Sequence, residues 1–153
     1  MKVVLLSEGA KAPKRANNFA AGYDLFAPRD VEIKTGRNLV HLDISVELNP
    51  QTEGMVRPRS GFSVKGIEGV YASNLNTPKR FNADVIIGTI DEDFRGNVGV
   101  IIKSYEERPF IIKQGTKIAQ MVINKYESSP FKVVDSLSET ERGKNGIGST
   151  GTM

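Results

Sequence analysis

The chain has 153 residues, enough for a single domain, and carries a net charge of +3 at pH 7 from 21 Lys and Arg against 18 Asp and Glu. It has no cysteine and only one histidine, His41, which excludes a disulfide framework, a zinc–thiolate site and a multi-histidine metal centre. No stretch reaches the roughly 20 apolar residues of a membrane span, and the apolar start of the chain is too short for a signal peptide. We therefore expect an intracellular, cytoplasmic protein with no membrane contact.

Short apolar runs with a period of two predict a series of β-strands. The predicted strands, in chain order, are Met1–Leu6, Asn38–Leu48, Val85–Ile90, Val98–Ile102, Phe110–Ile112, Lys117–Ile123 and Phe131–Val134. The best helical stretch is a single turn at Ser60–Lys65. Many short strands without intervening helices predict an all-β fold with at most a short helix, as an antiparallel sandwich, jelly roll or small barrel.

Three segments interrupt the strand pattern and hold most of the unusual residues. They are Gly66–Asp84, Gly88–Gly96 and the tail from Arg142, which reads RGKNGIGSTG. The four glycines of this tail would let successive backbone amides surround an anion, but the tail lacks the spacing of a Walker A loop. Taken alone, it is also typical of a frayed terminus.

Two turns carry residues suited to phosphate or water chemistry. In Arg57–Gly61, backbone amides, a serine hydroxyl and an arginine fork together suit a phosphate, although a plain capped turn has the same residues. In the second turn, Asp91 and Asp93 lie two apart and share a face in extended chain. Such a pair could hold a metal or orient a water, and the alternative is an acidic hairpin loop. The Lys and Arg residues are scattered and lack interleaved aromatics, so direct nucleic-acid binding is not expected.

Five segments follow one another along the chain: Ala20–Leu25, Pro58–Gly61, Gly88–Val98, Gly115–Gln120 and Arg142–Gly151. Taken together and in this order, they resemble the five motifs of the trimeric deoxyuridine triphosphate nucleotidohydrolase (dUTPase) family. The resemblance implies a distorted jelly roll, with residues 1–153 as one domain and 142–153 as a flexible arm. It also implies a homotrimer with shared active sites, and Mg²⁺-dependent hydrolysis of dUTP to dUMP and pyrophosphate by attack of water at the α-phosphorus. That reaction limits uracil in DNA and supplies dUMP for dTMP synthesis.

The resemblance also implies roles for individual residues. Asp91 would be catalytic, and Asp24 would hold the metal, through water. The expected substrate contacts are Arg59, Ser60, Gly61 and Gln120 on the phosphates, Gly88, Thr89, Ile90 and Phe94 on the nucleoside, Ile147 on the base, and Arg142, Gly148, Ser149 and Thr150 on the γ-phosphate. A hairpin over about 82–91 would read uracil through its backbone.

Three features depart from the family pattern. Phe94 stands where the family usually has Tyr, and Ile147 where it usually has a Phe that stacks on uracil. The segment 62–87 is longer than is typical and is read as a tolerated insertion. The alternatives are that its Tyr71, Lys79 and Arg80 reshape the uracil pocket or offer a partner surface. Two other functions remain open: a dCTP deaminase-type or bifunctional enzyme on the same fold, and a nucleotide-binding regulatory protein that acts through a protein partner. For a viral member, the location would be the host cytoplasm or nucleus.

Overall fold

The computed structural model describes residues 1–146, and this part of the chain forms fourteen β-strands and one short helix. The strands are β1 (Lys2–Leu5), β2 (Lys14–Arg15), β3 (Gly22–Phe26), β4 (Val31–Ile33), β5 (Gly36–His41), β6 (Ile44–Glu47), β7 (Thr52–Arg57), β8 (Ile67–Tyr71), β9 (Asn74–Phe81), β10 (Ala83–Ile86), β11 (Gly88–Ile90), β12 (Gly99–Ser104), β13 (Phe110–Ile112) and β14 (Lys117–Lys125). The helix α1 (Ser60–Lys65) lies between β7 and β8. The predicted all-β class with one short helix is confirmed.

The strands pair antiparallel in four sheets. The largest has the order β11–β7–β14–β3–β2, and the others are β4–β13–β8–β9, β10–β12–β5 and β1–β6. In the largest sheet, Gln120 of β14 lies opposite Asp24 on one side and Arg57 on the other. The far edge of β7 pairs with β11, where Gly54 lies opposite Ile90. Four of the five motifs therefore lie on, or directly after, neighbouring strands of one sheet.

Alternation along β7 separates the core from the outer face of this sheet. Thr52, Gly54 and Val56 are buried, while Glu53 and Arg57 are only half-buried. Because successive side chains point to opposite faces, Val56 joins the hydrophobic core and Arg57 faces outward. The outer face of the sheet is thus the surface on which polar site residues can collect.

A tight corner between β5 and β6 is held by Asp43, which adopts a left-handed φ of 54°. Its carboxylate accepts hydrogen bonds from the Ser7 hydroxyl (3.0 Å), the Arg29 guanidinium (2.7 Å) and the Asn97 amide (3.2 Å). Partial burial raises the pKa of Asp43, but the donors Asn97, Ser7 and Arg29 outweigh it and hold the pKa below its ordinary value. The corner explains why the single strand predicted over 38–48 is wrong: the chain forms two strands instead.

Two further strand predictions need correction. The run Val85–Ile90 leaves one sheet at Ile87 and enters another, because β10 pairs with β12 whereas β11 pairs with β7. The hairpin predicted over 82–91 is therefore wrong, since its two strands do not pair with each other. The predicted strand Phe131–Val134 is also wrong: Phe131 and Val133 are fully exposed, and within residues 1–146 this stretch has no strand partner.

The segment Gly66–Asp84, expected only to interrupt the strand pattern, forms the β8–β9 hairpin and the start of β10. Phe81 anchors the hairpin, because its buried ring stacks on Phe110 at 4.1 Å and meets Tyr71 edge-on at 5.0 Å. Gly66 turns the chain into the hairpin with φ of 74°, and a Cβ there would lie 2.2 Å from the Phe81 carbonyl oxygen. The end of the hairpin next to α1 is therefore fixed, while residues 74–80 are exposed.

The part of the chain that the structure describes contains no helix of the length and apolar character needed to cross a membrane. Its one helix, α1, has six residues.

Candidate active site

Asp24 is the centre of a charged cluster on the largest sheet. Its Oδ1 forms an ion pair with Arg59 Nε at 2.8 Å, and its Oδ2 forms one with Lys117 Nζ at 2.7 Å. The Asp24 side chain is 10% exposed, whereas those of Arg59 and Lys117 are 37% and 43% exposed. Both cations are thus fixed by a buried carboxylate, while part of each remains open to an anion from solvent.

A bulge in β14 explains why Lys117 can reach this cluster. In a regular strand, Lys117 and Gln120 would point to opposite faces because they lie three residues apart. The pairing of β14 with β3 shifts between Lys117 and Ala119, so one extra residue is inserted there. Bulges re-aim side chains in this way, and both Lys117 and Gln120 come to lie beside Asp24.

Gln120 joins the cluster to the segment after β7. Its Nε2 donates to the Pro58 carbonyl oxygen at 2.9 Å, directly before Arg59. A Cβ on Gly22 would lie only 2.1 Å from Gln120 Oε1, so the absence of a side chain at position 22 leaves room for the amide. The motifs around residues 20–25, 58–61 and 115–120 therefore meet at one place, as the five-motif pattern leads one to expect.

An open cleft of about 350 Å³ adjoins this cluster. Arg59, Gly61, Thr116 and Lys117 line it on the side of the cluster, and Ser60 begins α1 beside it. The opposite wall contains Phe62 and Lys65 of α1, and Ile67, Glu68 and Arg80 of the β8–β9 hairpin. The cleft is rich in cations, which suits a ligand with several negative charges.

The acidic turn after β11 lies in a second cleft, of about 510 Å³, lined by Glu53, Asp91, Glu92, Asp93 and Tyr126. Asp91 is exposed in the single chain. Its carbonyl oxygen accepts a hydrogen bond from the Phe94 amide at 3.1 Å, which closes the turn. The Phe94 ring is 40% exposed and lies over Gly96, where a Cβ would come within 2.7 Å of it.

Glu92 braces this turn against the rest of the protein. Its Oε2 accepts hydrogen bonds from the Tyr126 hydroxyl at 2.6 Å and from the Gln51 amide at 2.8 Å. The Tyr126 hydroxyl, and then the Gln51 amide, hold the pKa of Glu92 below its ordinary value. The same bond to Glu92 raises the pKa of Tyr126. Asp91 and Asp93 are therefore carried by a turn whose middle residue is fixed at two points.

The two clefts lie towards opposite ends of β7. Ile90 lies opposite Gly54, so Asp91 continues to about the level of Glu53. Glu53 and Arg57 are four residues apart, which corresponds to about 13 Å along a strand, and Arg59 follows further on. A single chain therefore does not bring Asp91 into contact with the Asp24 cluster.

The remaining predicted site residues have mixed positions. Gly88 and Thr89 are at least partly exposed on β11, whereas the Ile90 side chain is 8% exposed and belongs to the core, so only the backbone of Ile90 can face a ligand. Arg142 is exposed and donates from Nε to the Asn145 carbonyl oxygen at 3.1 Å. The predictions for Ile147, Gly148, Ser149 and Thr150 fall outside the described residues.

Sequence reasoning did not assign roles to Glu92, Tyr126 or Lys65, and it named Arg80 only within the long segment, as part of a reshaped pocket or a partner surface. The brace between Glu92 and Tyr126 joins positions 34 apart in sequence, and no local pattern indicates such a pair. Arg80 could have been found from its register, because it lies opposite Glu68 once 67–81 is recognised as a hairpin.

The residues fit a magnesium ion only if the ligand brings most of the coordination. In residues 1–146 there is no group of three or more carboxylates or histidines that could enclose a metal. Asp24 is a buried carboxylate whose oxygens each contact a cation and keep further lone pairs for a water. Mg²⁺ usually keeps several waters and is bound through one or two carboxylates together with substrate phosphates, so Asp24 fits that arrangement.

The class of protein is thus an all-β fold whose site presents Arg, Lys and Gln around a buried carboxylate, a set of donors that suits phosphate. The family model for dUTPase matches residues 8–75 and 79–151. The deoxyuridine 5'-triphosphate nucleotidohydrolase of Clostridium tetani is 43% identical over 152 residues, which cover 99% of this chain and 96% of that protein. The chain therefore belongs to the dUTPase family of hydrolases.

Solved structures of dUTPases have the same fold. The dUTPase of Staphylococcus bacteriophage 80alpha, in a structure with dUPNHPP, matches with a TM-score of 0.80 and 26% identity, and the match covers 98% of this chain and 97% of that one. A mutant dUTPase of phage phi11 of S. aureus, which coordinates a structural Mg(II) ion, matches with a TM-score of 0.73 and 24% identity over 88% of this chain and 96% of that one. The resemblance and the jelly-roll class inferred from the sequence are confirmed.

Proposed function

We propose that the chain hydrolyses dUTP to dUMP and pyrophosphate, with attack of water at the α-phosphorus and with Mg²⁺ as cofactor. The observation that carries this proposal is the fixed cluster of Asp24, Arg59, Lys117 and Gln120 in a member of the dUTPase family. In this role the reaction would limit uracil in DNA and supply dUMP for dTMP synthesis.

The cluster would position the triphosphate. The Arg59 fork and the Gln120 amide are donors for phosphate oxygens, and the Ser60 hydroxyl and Gly61 amide add neutral donors at the start of α1. Because Asp24 already orients Arg59, little rearrangement is needed when a phosphate binds. A magnesium ion carried by the triphosphate would neutralise phosphate charge, with Asp24 holding its waters.

Asp91 would orient and deprotonate the attacking water. General-base assistance of this kind contributes roughly a hundred- to ten-thousand-fold. The brace from Gln51 and Tyr126 to Glu92 supports this role, because it limits movement of the neighbouring carboxylate. Backbone groups of Gly88, Thr89 and Ile90 would read uracil, and the Phe94 ring would pack on the deoxyribose and exclude a 2′-hydroxyl.

We further propose that the working enzyme is a homotrimer in which one chain supplies Asp91 and a neighbour supplies the phosphate cluster. The distance along β7 supports this proposal, because about 13 Å separates the levels of Glu53 and Arg57 and exceeds the reach of one bridging water. Residues 142–153 would act as an arm that closes over the nucleotide, with Arg142, Gly148, Ser149 and Thr150 at the γ-phosphate and Ile147 over the base.

Pyrophosphate release with Mg²⁺ from dUTP, dCTP, dTTP and UTP tests the reaction. We expect dUTP to be cleaved much faster than the other three, and Asp91→Asn to lose at least a hundredfold in kcat. Asp93→Asn is the matched control, since it removes the same charge two residues away in the same cleft. Cleavage of dUTP no faster than dTTP would refute the substrate, deamination of dCTP would favour the deaminase alternative, and full activity of Asp91→Asn would refute the base.

Mixing two inactive variants tests the shared site. Asp91→Asn and Arg59→Gln each destroy one half of the proposed site, so their separate preparations should be inactive. After the two are unfolded and refolded together, mixed trimers contain sites with both halves intact, and activity should return. If the mixture stays inactive while refolded wild type recovers, each site lies within one chain.

A further inference from the structure

The cationic cleft beside Arg59 contains two cations, Lys65 and Arg80, that the proposed reaction has not used. With Arg59 and Lys117 they give the region four cations, against the carboxylates of Asp24 and Glu68. The excess of positive charge lies next to the residues expected to hold the triphosphate. A polyanion that enters this cleft is therefore attracted more strongly than it would be by a single arginine.

Arg80 is held loosely enough to turn towards a ligand. Its guanidinium lies 3.3 Å from Glu68 and 3.3 Å from the Gly66 carbonyl oxygen, and the side chains of Arg80 and Glu68 are 51% and 54% exposed. Exposed ion pairs of this kind contribute little free energy. A phosphate oxygen, which can take a bidentate contact from arginine, can compete with both partners.

The backbone that carries Arg80 is nevertheless rigid. Its neighbour Phe81 is buried and stacked on Phe110, and Ile67 lies opposite Phe81 in the hairpin. Lys65 ends α1 and is exposed on the same cleft, with no ion pair to any residue in the described part of the chain. The two cations thus stand on fixed elements, and the side-chain head of Lys65 has no ion-pair partner in the described residues while that of Arg80 has only exposed, weak contacts. This arrangement suits a site for an anion.

We propose that Lys65 and Arg80 bind the distal phosphates of the nucleotide, and the pyrophosphate product, so that the β8–β9 hairpin extends the phosphate site. The inference rests on the proposed function, since it assumes that Arg59 and Gln120 hold the nearer part of the triphosphate. It gives the long segment 62–87 a role in substrate affinity, which a merely tolerated insertion would not have.

The test compares three substitutions on the hairpin. Arg80→Gln should raise KM for dUTP and the inhibition constant of inorganic pyrophosphate about tenfold, which corresponds to about 1.4 kcal/mol. Lys79→Gln is the matched control, because Lys79 is the preceding residue, points to the other face and lies 5.4 Å from the Tyr71 ring. Glu68→Gln should act in the opposite direction and lower both constants, because it frees Arg80 from its partner.

Inhibition by dUMP separates this inference from the proposed function. dUMP has no distal phosphates, so its inhibition constant should be the same in wild type and Arg80→Gln, and the difference for pyrophosphate should shrink at high salt. If the enzyme cleaves dUTP but Arg80→Gln and Lys79→Gln change the inhibition constant of pyrophosphate equally, the inferred role of Arg80 is overturned while the proposed function stands. A wild type that does not cleave dUTP would instead refute the proposed function. Arg80→Lys, which keeps the charge, should restore part of the affinity and excludes a folding defect as the cause.

Discussion

Replacing Asp24 by Asn should destabilise the fold much more than removing a surface carboxylate. Asp24 is 10% exposed and forms ion pairs with Arg59 and Lys117 at 2.8 and 2.7 Å. Asn keeps the shape of the side chain, but it loses the charge and offers an amide where an acceptor is needed. The two cations then remain next to a partly buried site without their counter-ion.

The expected cost follows from the loss of the buried counter-ion and the exposure of its partners. Removing one partner of a fully buried ion pair costs about 3–5 kcal/mol. Arg59 and Lys117 are 37% and 43% exposed, so water compensates part of the loss. We therefore expect Asp24→Asn to lower the free energy of unfolding by about 2–4 kcal/mol, or Tm by about 5–12 °C.

Urea unfolding and thermal unfolding at one protein concentration provide the assay. Glu47→Gln is the matched control, because Lys2 contacts Glu47 at the same 2.7 Å, but these two side chains are 76% and 45% exposed. The control should leave the free energy of unfolding and Tm nearly unchanged, because water screens an exposed ion pair. If the two variants cost the same, burial does not set the energy of the Asp24 cluster, and the reasoning is refuted.

Three further substitutions test other parts of the structure. Gly22→Ala should reduce kcat/KM about tenfold with little loss of stability, because the added Cβ would lie 2.1 Å from Gln120 Oε1 and would displace the amide. A reduced kcat/KM in steady-state kinetics with an unchanged Tm would agree, and an unchanged kcat/KM would contradict it. Asp43→Asn keeps a residue type that tolerates a left-handed φ but removes the group whose pKa is held below its ordinary value. A carboxylate with a lowered pKa in the folded protein stabilises it at pH values above the unfolded pKa of about 4, and this stabilisation is lost as the pH falls. The Tm of the variant should therefore fall less steeply than that of wild type below about pH 5. Parallel curves of Tm against pH would contradict this. Ile147→Phe should lower KM for dUTP about two- to twelvefold, which corresponds to the roughly 0.5–1.5 kcal/mol of an aromatic stack. Identical KM and kcat would count against a stacking deficit.

Sequence patterns predicted well those features that depend on neighbouring residues. The turn Ser60–Lys65 and the strand at Lys117 were visible because their side chains follow a local period. The strands β3 and β7 were missed because some of their buried positions are not apolar: Asp24 in β3, and Thr52 and Gly54 in β7. Contacts across sheets, such as Glu92 with Tyr126, depend on how distant strands are brought together, and a linear pattern does not contain that information.

The position of β7 between β11 and β14 limits where the chain can change in length. One edge of β7 sets the level of Asp91 and the other sets Gln120, so a single inserted residue would shift both halves of the site at once. The exposed end of the β8–β9 hairpin positions neither half of the site, and the internal gap of the family match, residues 76–78, lies in β9. Insertions and deletions among related chains should therefore accumulate at the free end of this hairpin and be absent between residues 52 and 61.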